Sequence, residues 1–108
     1  MRGILAAVLD RAGYGVVTCA EPDDALALLA ADIGFALVIA AVQPSSPEDG
    51  LGLPRRISVD MPGLAVIAVA DGTDAFEAAR TMTSVVAVVA RDEAPRAILG
   101  PVRAALGA

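Results

Sequence analysis

Acidic side chains follow two of the long apolar runs in the chain. Glu48 and Asp49 lie in the loop after residues 35–42, and Asp71 comes directly after residues 64–70. Carboxylates that meet at one edge of a sheet can hold a hard divalent cation such as Mg²⁺ or Ca²⁺. Their spacing fits no metal-binding loop, so we favour the other interpretation, which is solvated charge on loops.

Amino-acid composition excludes several other kinds of chemistry. The chain has no histidine and no lysine, which excludes histidine acid–base catalysis, histidine metal ligation and a lysine Schiff base. Ser45 and Ser46 lie in the same loop as Glu48, but no histidine or lysine is present to activate a serine nucleophile. We therefore interpret both as turn residues between Pro44 and Pro47.

Three further features are more typical of structure than of chemistry. Cys19 is the single cysteine, and its place in the run VVTCA predicts a small buried hydrophobic side chain rather than a reactive thiol. Arg55 and Arg56 form a charge pair that we expect on an exposed helix surface. The glycines match neither G-x-G-x-x-G nor G-x-x-x-x-G-K-[ST], so no phosphate-binding loop is indicated.

Length and charge limit the class of protein and its partners. The 108 residues suit one domain spanning 1–108, and a hydrophobic content of 56% is too high for a disordered chain. The net charge of −5 argues against nucleic-acid binding by this domain. No run reaches the roughly 18 uncharged residues of a membrane span, and no signal peptide is evident, so we expect a cytoplasmic protein that does not bind membranes.

Apolar periodicity predicts helices that alternate with strands. Gly13 should end the first helix, Pro54 should begin or kink the third, and Gly100-Pro101 should bend the last. Such alternation predicts parallel crossovers and a three-layer α/β/α sandwich with a parallel sheet. The predicted series is helix 2–12, strand 16–20, helix 22–32, strand 35–42, helix 51–60, strand 64–70, helix 74–82, strand 85–90 and helix 94–106.

This ordered series resembles the receiver domain of response regulators, the CheY-like or flavodoxin-like fold, over nearly the whole chain. FALVIAAVQP resembles the family's FDLVITDVQMP, DGLGLPRRI resembles DGLELARRI, and GLAVIAVADG resembles LPVIALTG. The segments LDRAGYGVVTCAEPDDALALLA and RAILGPVRAALG are similar to the family's early elements and last helix. The order of the motifs, more than any single motif, carries the resemblance.

The resemblance implies a phosphoryl-transfer site that this chain has lost. In the family, an aspartate after the third strand accepts a phosphoryl group from a histidine kinase, beside Mg²⁺ held by an acidic pair. A threonine or serine and a lysine follow the next two strands and grip the phosphate. Here Ala41 stands at the acceptor position, Ala70 at the hydroxyl position, Arg91 at or near the lysine, and Val88 near the switch aromatic. The family's first strand and its acidic pair are not found in the chain.

We therefore predict a degenerate receiver domain that is not an enzyme and holds no metal or cofactor. It would act in bacterial two-component signalling as a phosphorylation-independent module for protein interaction or dimerisation, with a homodimer favoured. The contact face that the resemblance implies carries Arg80, Arg91, Arg96 and Arg103.

Two alternatives remain open: a small-ligand-sensing α/β domain that uses the loops at the strand carboxyl ends, or a truncated response regulator of a phosphorelay. Absence of the family's first strand would leave strands 16–20 and 35–42 to pair directly or to be covered by a second chain.

Overall fold

A computed structural model describes residues 2–19, 22–31, 35–42, 47–61, 63–82 and 84–106 of the chain. No helix within these ranges is long and apolar enough to cross a membrane. From α2 to α5 the described elements alternate between helices and strands, as the sequence predicts. They are α1 (Arg2–Arg11), α2 (Pro22–Ala31), β1 (Leu37–Val42), α3 (Pro47–Asp60), β2 (Ala65–Ala70), α4 (Thr73–Arg80), β3 (Val85–Ala90), α5 (Ala94–Ala97) and α6 (Leu99–Leu106).

The sheet of the described residues is parallel, with the strand order β1-β2-β3. All six residues of β2 pair with β1, and Val42, Ala70 and Ala90 lie level in register at the carboxyl ends of the three strands. The pairing of β2 with β3 shifts between Val66 and Ile67, which leaves Val86 as an extra residue on β3. Because β2 is central, its residues from Val66 onward are buried.

Helices cover both faces of the sheet and make it the middle of three layers. On one face, Leu5 and Leu9 of α1 cluster with Ile67 of β2 and with Ile98 and Val102 near the chain end. On the opposite face, α3 and α4 cover alternate residues of the strands, and Leu29 of α2 packs beside β1. Apolar residues on both alternations of β2 therefore face a helical layer, as expected for a buried parallel strand. The prediction of a parallel sheet between two layers of helices is therefore confirmed.

The first helix ends where the sequence predicts. Gly13 has a φ of 97°, in the left-handed region that glycine adopts without steric cost. Its N–H donates to the Asp10 carbonyl at 3.0 Å, and the Tyr14 N–H donates to the Leu9 carbonyl at 3.1 Å. This pair of bonds is the Schellman motif, which satisfies the last carbonyls of a helix and turns the chain away from the helix axis.

The predicted strand at residues 16–20 is wrong over its described part. Residues 14–19 form no regular secondary structure, and Val16 and Val17 are 37% and 58% exposed. A run of β-branched residues favours a strand only when a neighbouring strand is there to pair with it. Ala20 lies outside the described residues. Over the described part of the chain, the sheet consequently has three strands where the sequence predicted four.

The third helix begins earlier than predicted. It starts at Pro47, so Pro47–Gly50 belong to α3 and not to the predicted loop. Proline suits the first position of a helix, and acidic residues such as Glu48 and Asp49 suit its first turn. Pro54 lies inside the helix rather than at its start, and it is fully buried, so packing offsets the hydrogen bond that proline cannot donate. Residues 43–46 lie outside the described ranges.

The last helical segment is broken as predicted, but one turn earlier than the residues that break it. α5 ends at Ala97 and α6 begins at Leu99. Pro101 has no N–H to donate to the Ala97 carbonyl, and its ring crowds that carbonyl, so the interruption falls four residues before the proline. Ile98 fills the break with a fully buried side chain and joins both segments to the core.

Candidate functional site at the carboxyl edge of the sheet

The two alanines singled out by the sequence lie at the carboxyl edge of the sheet, in different surroundings. Ala70 is the last residue of β2, and its side chain is 2% exposed. It packs in an all-alanine cluster with Ala75 and Ala79 of α4. Ala41, one residue before the end of β1, is exposed. Neither methyl group can act as a nucleophile, a metal ligand or a hydrogen-bond donor.

Arg91 and Asp71 form an ion pair directly beyond the strand ends. The Arg91 Nη1 donates to the Asp71 Oδ2 at 3.0 Å, and both side chains are about half exposed. The Arg91 backbone N–H donates to the Ala70 carbonyl at 2.9 Å, which extends the ladder between β2 and β3 by one bond. A guanidinium engaged in this way is already neutralised by a fixed carboxylate. The sequence prediction named both residues but did not pair them.

A cleft of about 690 Å³ opens beside this ion pair. Gly72, with a φ of 100°, turns the chain from β2 into α4, whose first turn has no side-chain cap. Phe76 supplies the apolar wall, and Asp92 adds a second carboxylate. The cleft is lined by Ala70, Asp71, Gly72, Thr73, Phe76, Ala90, Arg91 and Asp92.

Of the three carboxylates considered for a metal, only the Asp71 side chain belongs to the described part of the chain. Asp71 is paired with Arg91, and no group of three histidine, cysteine, aspartate or glutamate residues suited to a metal occurs among the described residues. Glu48 and Asp49 lie in the first turn of α3.

Val88 lies on β3 and is half buried against the alanine cluster below α4. An aliphatic side chain at this position carries neither an aromatic ring nor a polar end. In the family that the sequence resembles, an aromatic residue at this position moves when phosphate binds. Val88 has no ring with which to make that response. Position 88 therefore contributes packing to the site.

A second cleft follows β3 on the side of α4, with a volume of about 480 Å³. Val86 is 56% exposed here, because the irregular pairing leaves it as the extra residue of β3. Arg80 lies at the rim and pairs with Glu77 of the same helix, with its Nη1 3.2 Å from the Glu77 Oε1. Phe76 lines both this cleft and the one at the carboxyl edge. The lining residues are Phe76, Arg80, Val85, Val86, Ala87 and Val88.

The four arginines of the predicted interaction face are not gathered into one site. Arg80 and Arg91 lie on the two clefts that share Phe76. Arg96 on α5 and Arg103 on α6 are exposed but line neither of these clefts. Of the four arginines, Arg80 and Arg91 therefore each line a cleft, whereas Arg96 and Arg103 line neither of the two.

The remaining candidates from the sequence are the single cysteine, the arginine pair of α3 and the two serines. Cys19 is half buried but lies in no strand, so the predicted buried strand position is wrong. Arg55 and Arg56 are exposed as predicted, and the Arg56 Nε lies 3.3 Å from the Asp60 Oδ2 on the same helix. Ser45 and Ser46 lie outside the described residues.

Comparison of the chain with protein-family models, with curated proteins and with solved structures finds no match.

Proposed function

We propose that this chain is a receiver-like domain that has lost phosphoryl transfer and acts as a protein-interaction module in two-component signalling. The observation that carries the proposal is the set of side chains found at the carboxyl edge of the sheet. The positions at which phosphoryl chemistry would need a nucleophile and a hydroxyl are the methyl groups of Ala41 and Ala70. The guanidinium beyond β3 is occupied by Asp71.

The arrangement of layers supports the CheY-like form of the α/β fold. Helices α2, α3 and α4 cover one face of the sheet, and α1 packs with α5 and α6 on the other. With α5 and α6 counted as the two segments of the predicted last helix, two helices oppose three, and this division, with the last strand at a sheet edge, accords with the order of motifs in the sequence. Fold alone implies no function, so the proposal depends on the site and on the exposed surface of β3.

The surface that we propose for contact is the β3 face, defined as α4, the outer edge of β3 and the cleft between them. It exposes the aliphatic side chain of Val86 beside Phe76 and places Arg80 at its rim. Apolar anchors surrounded by polar groups are typical of protein contact sites. The proposed occupant is a second copy of this chain or another signalling protein.

Phosphoryl chemistry is tested with amide spectra of the ¹⁵N-labelled protein, recorded with and without Mg²⁺ and beryllofluoride, a phosphoryl mimic. We expect no shifts at residues 41, 70–73 or 90–92, and no mass increase after incubation with acetyl phosphate. Shifts confined to those residues, or stoichiometric phosphorylation, would contradict the proposal. A receiver domain of known activity provides the positive control.

Self-association through the β3 face is tested by sedimentation equilibrium of Val86→Arg. We expect a concentration-dependent dimer in the unmodified protein, weakened at least roughly 10-fold by the buried charge. Ile4→Arg is the matched control, because Ile4 is 55% exposed on α1, which packs on the opposite face of the sheet from α4. Equal loss of dimer in both variants would place the contact elsewhere. A monomer at all concentrations would leave another protein as the occupant of this face.

The cleft beside Asp71 and Arg91 supports the alternative function, which is binding of a small ligand at the strand carboxyl ends. Its volume of about 690 Å³ lies within the range of ligand pockets. However, its principal charged groups already pair with each other. A thermal-shift screen against small organic anions and cations distinguishes the two functions, since stabilisation that is lost in Arg91→Ala would favour the ligand-binding domain.

A further inference from the structure

We propose that the cleft at the carboxyl edge of the sheet binds a small zwitterion, an α-amino acid with an apolar side chain, and that the Asp71–Arg91 pair recognises it. The inference rests on the alternative function, binding of a small ligand at the strand carboxyl ends, and it names the ligand class. It depends neither on the loss of phosphoryl transfer nor on contact through the β3 face. Hydrogen-bonding capacity, charge, spacing and an apolar wall lead to it.

The Asp71–Arg91 pair leaves hydrogen-bonding positions free. Its contact is a single hydrogen bond of 3.0 Å, from the Arg91 Nη1 to the Asp71 Oδ2. Within the described part of the chain, neither side chain forms another hydrogen bond. A guanidinium carries several N–H donors in a planar fork, and a carboxylate has two acceptor oxygens. Both side chains are about half exposed, so a ligand can reach the positions that the pair does not use.

The charge of the cleft disfavours a simple ion. Because Arg91 and Asp71 neutralise each other, the pair attracts neither a small anion nor a small cation by net charge. Asp92 lines the same cleft and forms no ion pair with any described residue. A zwitterion satisfies all three groups. Its carboxylate accepts from the fork of Arg91, a strong charge-assisted geometry, and its ammonium donates to Asp71 and Asp92.

The closeness of the two charges indicates which zwitterion fits. The Arg91 Nη1 and the Asp71 Oδ2 lie 3.0 Å apart. In an α-amino acid, one carbon atom carries both the ammonium and the carboxylate, so its opposite charges are also close together. Two such dipoles can lie side by side in opposite directions, with each charge beside its opposite. A zwitterion whose charges are far apart does not match this spacing.

The remainder of the cleft is suited to an apolar side chain. Phe76 packs on the alanine cluster below α4 and is half buried, and Ala70 and Ala90 also line the cleft. An aliphatic or aromatic substituent placed against Phe76 removes apolar surface from water on both molecules. The cleft volume of about 690 Å³ accommodates a ligand of this size and lies within the range of small-molecule sites.

The test records amide spectra of the full ¹⁵N-labelled chain during titration with L-phenylalanine. We expect shifts at residues 70–73, 76 and 90–92, together with a rise in the thermal unfolding temperature. N-acetyl-L-phenylalanine and L-phenylalaninamide are the matched controls, since each lacks one of the two charges. Each should bind at least roughly 10-fold more weakly, because a charge-assisted hydrogen bond is lost. Equal binding of either control would overturn the assignment of a zwitterion.

The spacing of the charges is tested with para-aminomethylbenzoate, an aromatic zwitterion whose two charges lie at opposite ends of the ring. We expect it to bind at least roughly 10-fold more weakly than L-phenylalanine, because it can pair with only one member of the Asp71–Arg91 pair. Equal binding would overturn the assignment of an α-amino acid. The absence of shifts with L-phenylalanine up to its solubility limit would overturn the proposal, as would shifts confined to residues 85–88.

Arginine variants test the recognition of the carboxylate. Arg91→Ala should weaken the binding of L-phenylalanine at least roughly 10-fold, and Arg91→Lys should also weaken it, because an ammonium lacks the planar fork. Arg96→Ala is the matched control, since Arg96 is exposed and lines neither described cleft. Equal weakening by Arg91→Ala and Arg96→Ala would show a general charge effect and would overturn the site.

Aspartate variants test the recognition of the ammonium. Asp92→Asn should weaken binding by roughly 3- to 10-fold, whereas Asp74→Asn, at an exposed position that lines neither described cleft, should leave it unchanged. Equal effects would overturn the role of Asp92. Stabilisation by other small ions but not by L-phenylalanine would overturn the ligand class and leave the alternative function standing. Sedimentation of Val86→Arg tests the interaction module separately, so the two failures are distinguishable.

Discussion

Ala70 is buried in a contact in which the facing residues of α4, Ala75 and Ala79, are also alanines. Small side chains on both sides allow α4 to lie close to the sheet. The alanine at this position is therefore linked to the way the helix packs. Adding a hydroxyl here would change the core as well as the site.

We expect Ala70→Thr to lower the free energy of unfolding by about 1–3 kcal/mol, because it adds volume and an unpaired hydroxyl to a filled position. The measurement is urea unfolding followed by circular dichroism. Ala41→Thr is the matched control, since Ala41 is exposed on a strand and should change by less than about 0.5 kcal/mol. Equal stability of the two variants would show that position 70 has room for a hydroxyl.

The Asp71–Arg91 pair lies at the surface, so its contribution to stability is small. We expect Arg91→Ala to reduce the free energy of unfolding by less than about 1 kcal/mol, with a smaller effect at high salt. Arg96→Ala removes the same charge from an exposed helical position and provides the reference. A loss above about 2 kcal/mol relative to that reference would show that the pair holds β2 and β3 together.

At the scale of elements, alternation of apolar runs predicted all three described strands, and β3 at Val85–Ala90 agrees to the residue. The prediction failed at residues 16–19 because the outcome there depends on a neighbouring strand, which a local pattern does not contain. It failed at Pro47 because Pro, Glu, Asp and Gly are typical of loops as well as of helix starts. Both errors arise where local preference is decided by tertiary context.

The candidate site was predictable from the sequence only in part. Parallel strands end at one edge, so residues that directly follow them meet there, as Asp71 and Arg91 do. The sequence analysis did not apply this rule to them, although each is the first residue after its strand. The position of Arg96 and Arg103 relative to the clefts was not predictable, because the break at Ile98 divides the predicted last helix into two segments, each of which carries one of them.

Two glycines, one inside α1 and one just beyond its end, should respond in opposite directions to the same substitution. Gly13→Ala forces a side chain into the left-handed conformation that ends the helix, and we expect it to destabilise the fold by about 1 kcal/mol or more. Gly3→Ala, inside α1 with open space around the new methyl group, should stabilise it by about 0.5–1 kcal/mol. Thermal unfolding of both variants measures the difference, and changes of the same sign would contradict the assigned helix end.

At the scale of the whole molecule, the core depends on a few branched aliphatic side chains between the sheet and its helices. We expect Ile67→Ala to cost about 2–5 kcal/mol, because Ile67 is fully buried at the centre of β2. Ile4→Ala, on the exposed side of α1, should cost less than about 1 kcal/mol. Denaturant unfolding compares them directly. Similar losses would mean that α1 is covered on its outer side.

The packing of α1 against Ile98 and Val102 has a consequence for how the protein is made. During synthesis the chain leaves the ribosome in sequence order, so Leu5 and Leu9 emerge about 60 residues before Ile67 and about 90 residues before Ile98 and Val102, which complete their cluster. Until then the nascent α1 has an apolar stripe without its partners. Folding of this face must wait for the last helix, and during that interval the nascent chain is a substrate for chaperones that bind exposed aliphatic segments.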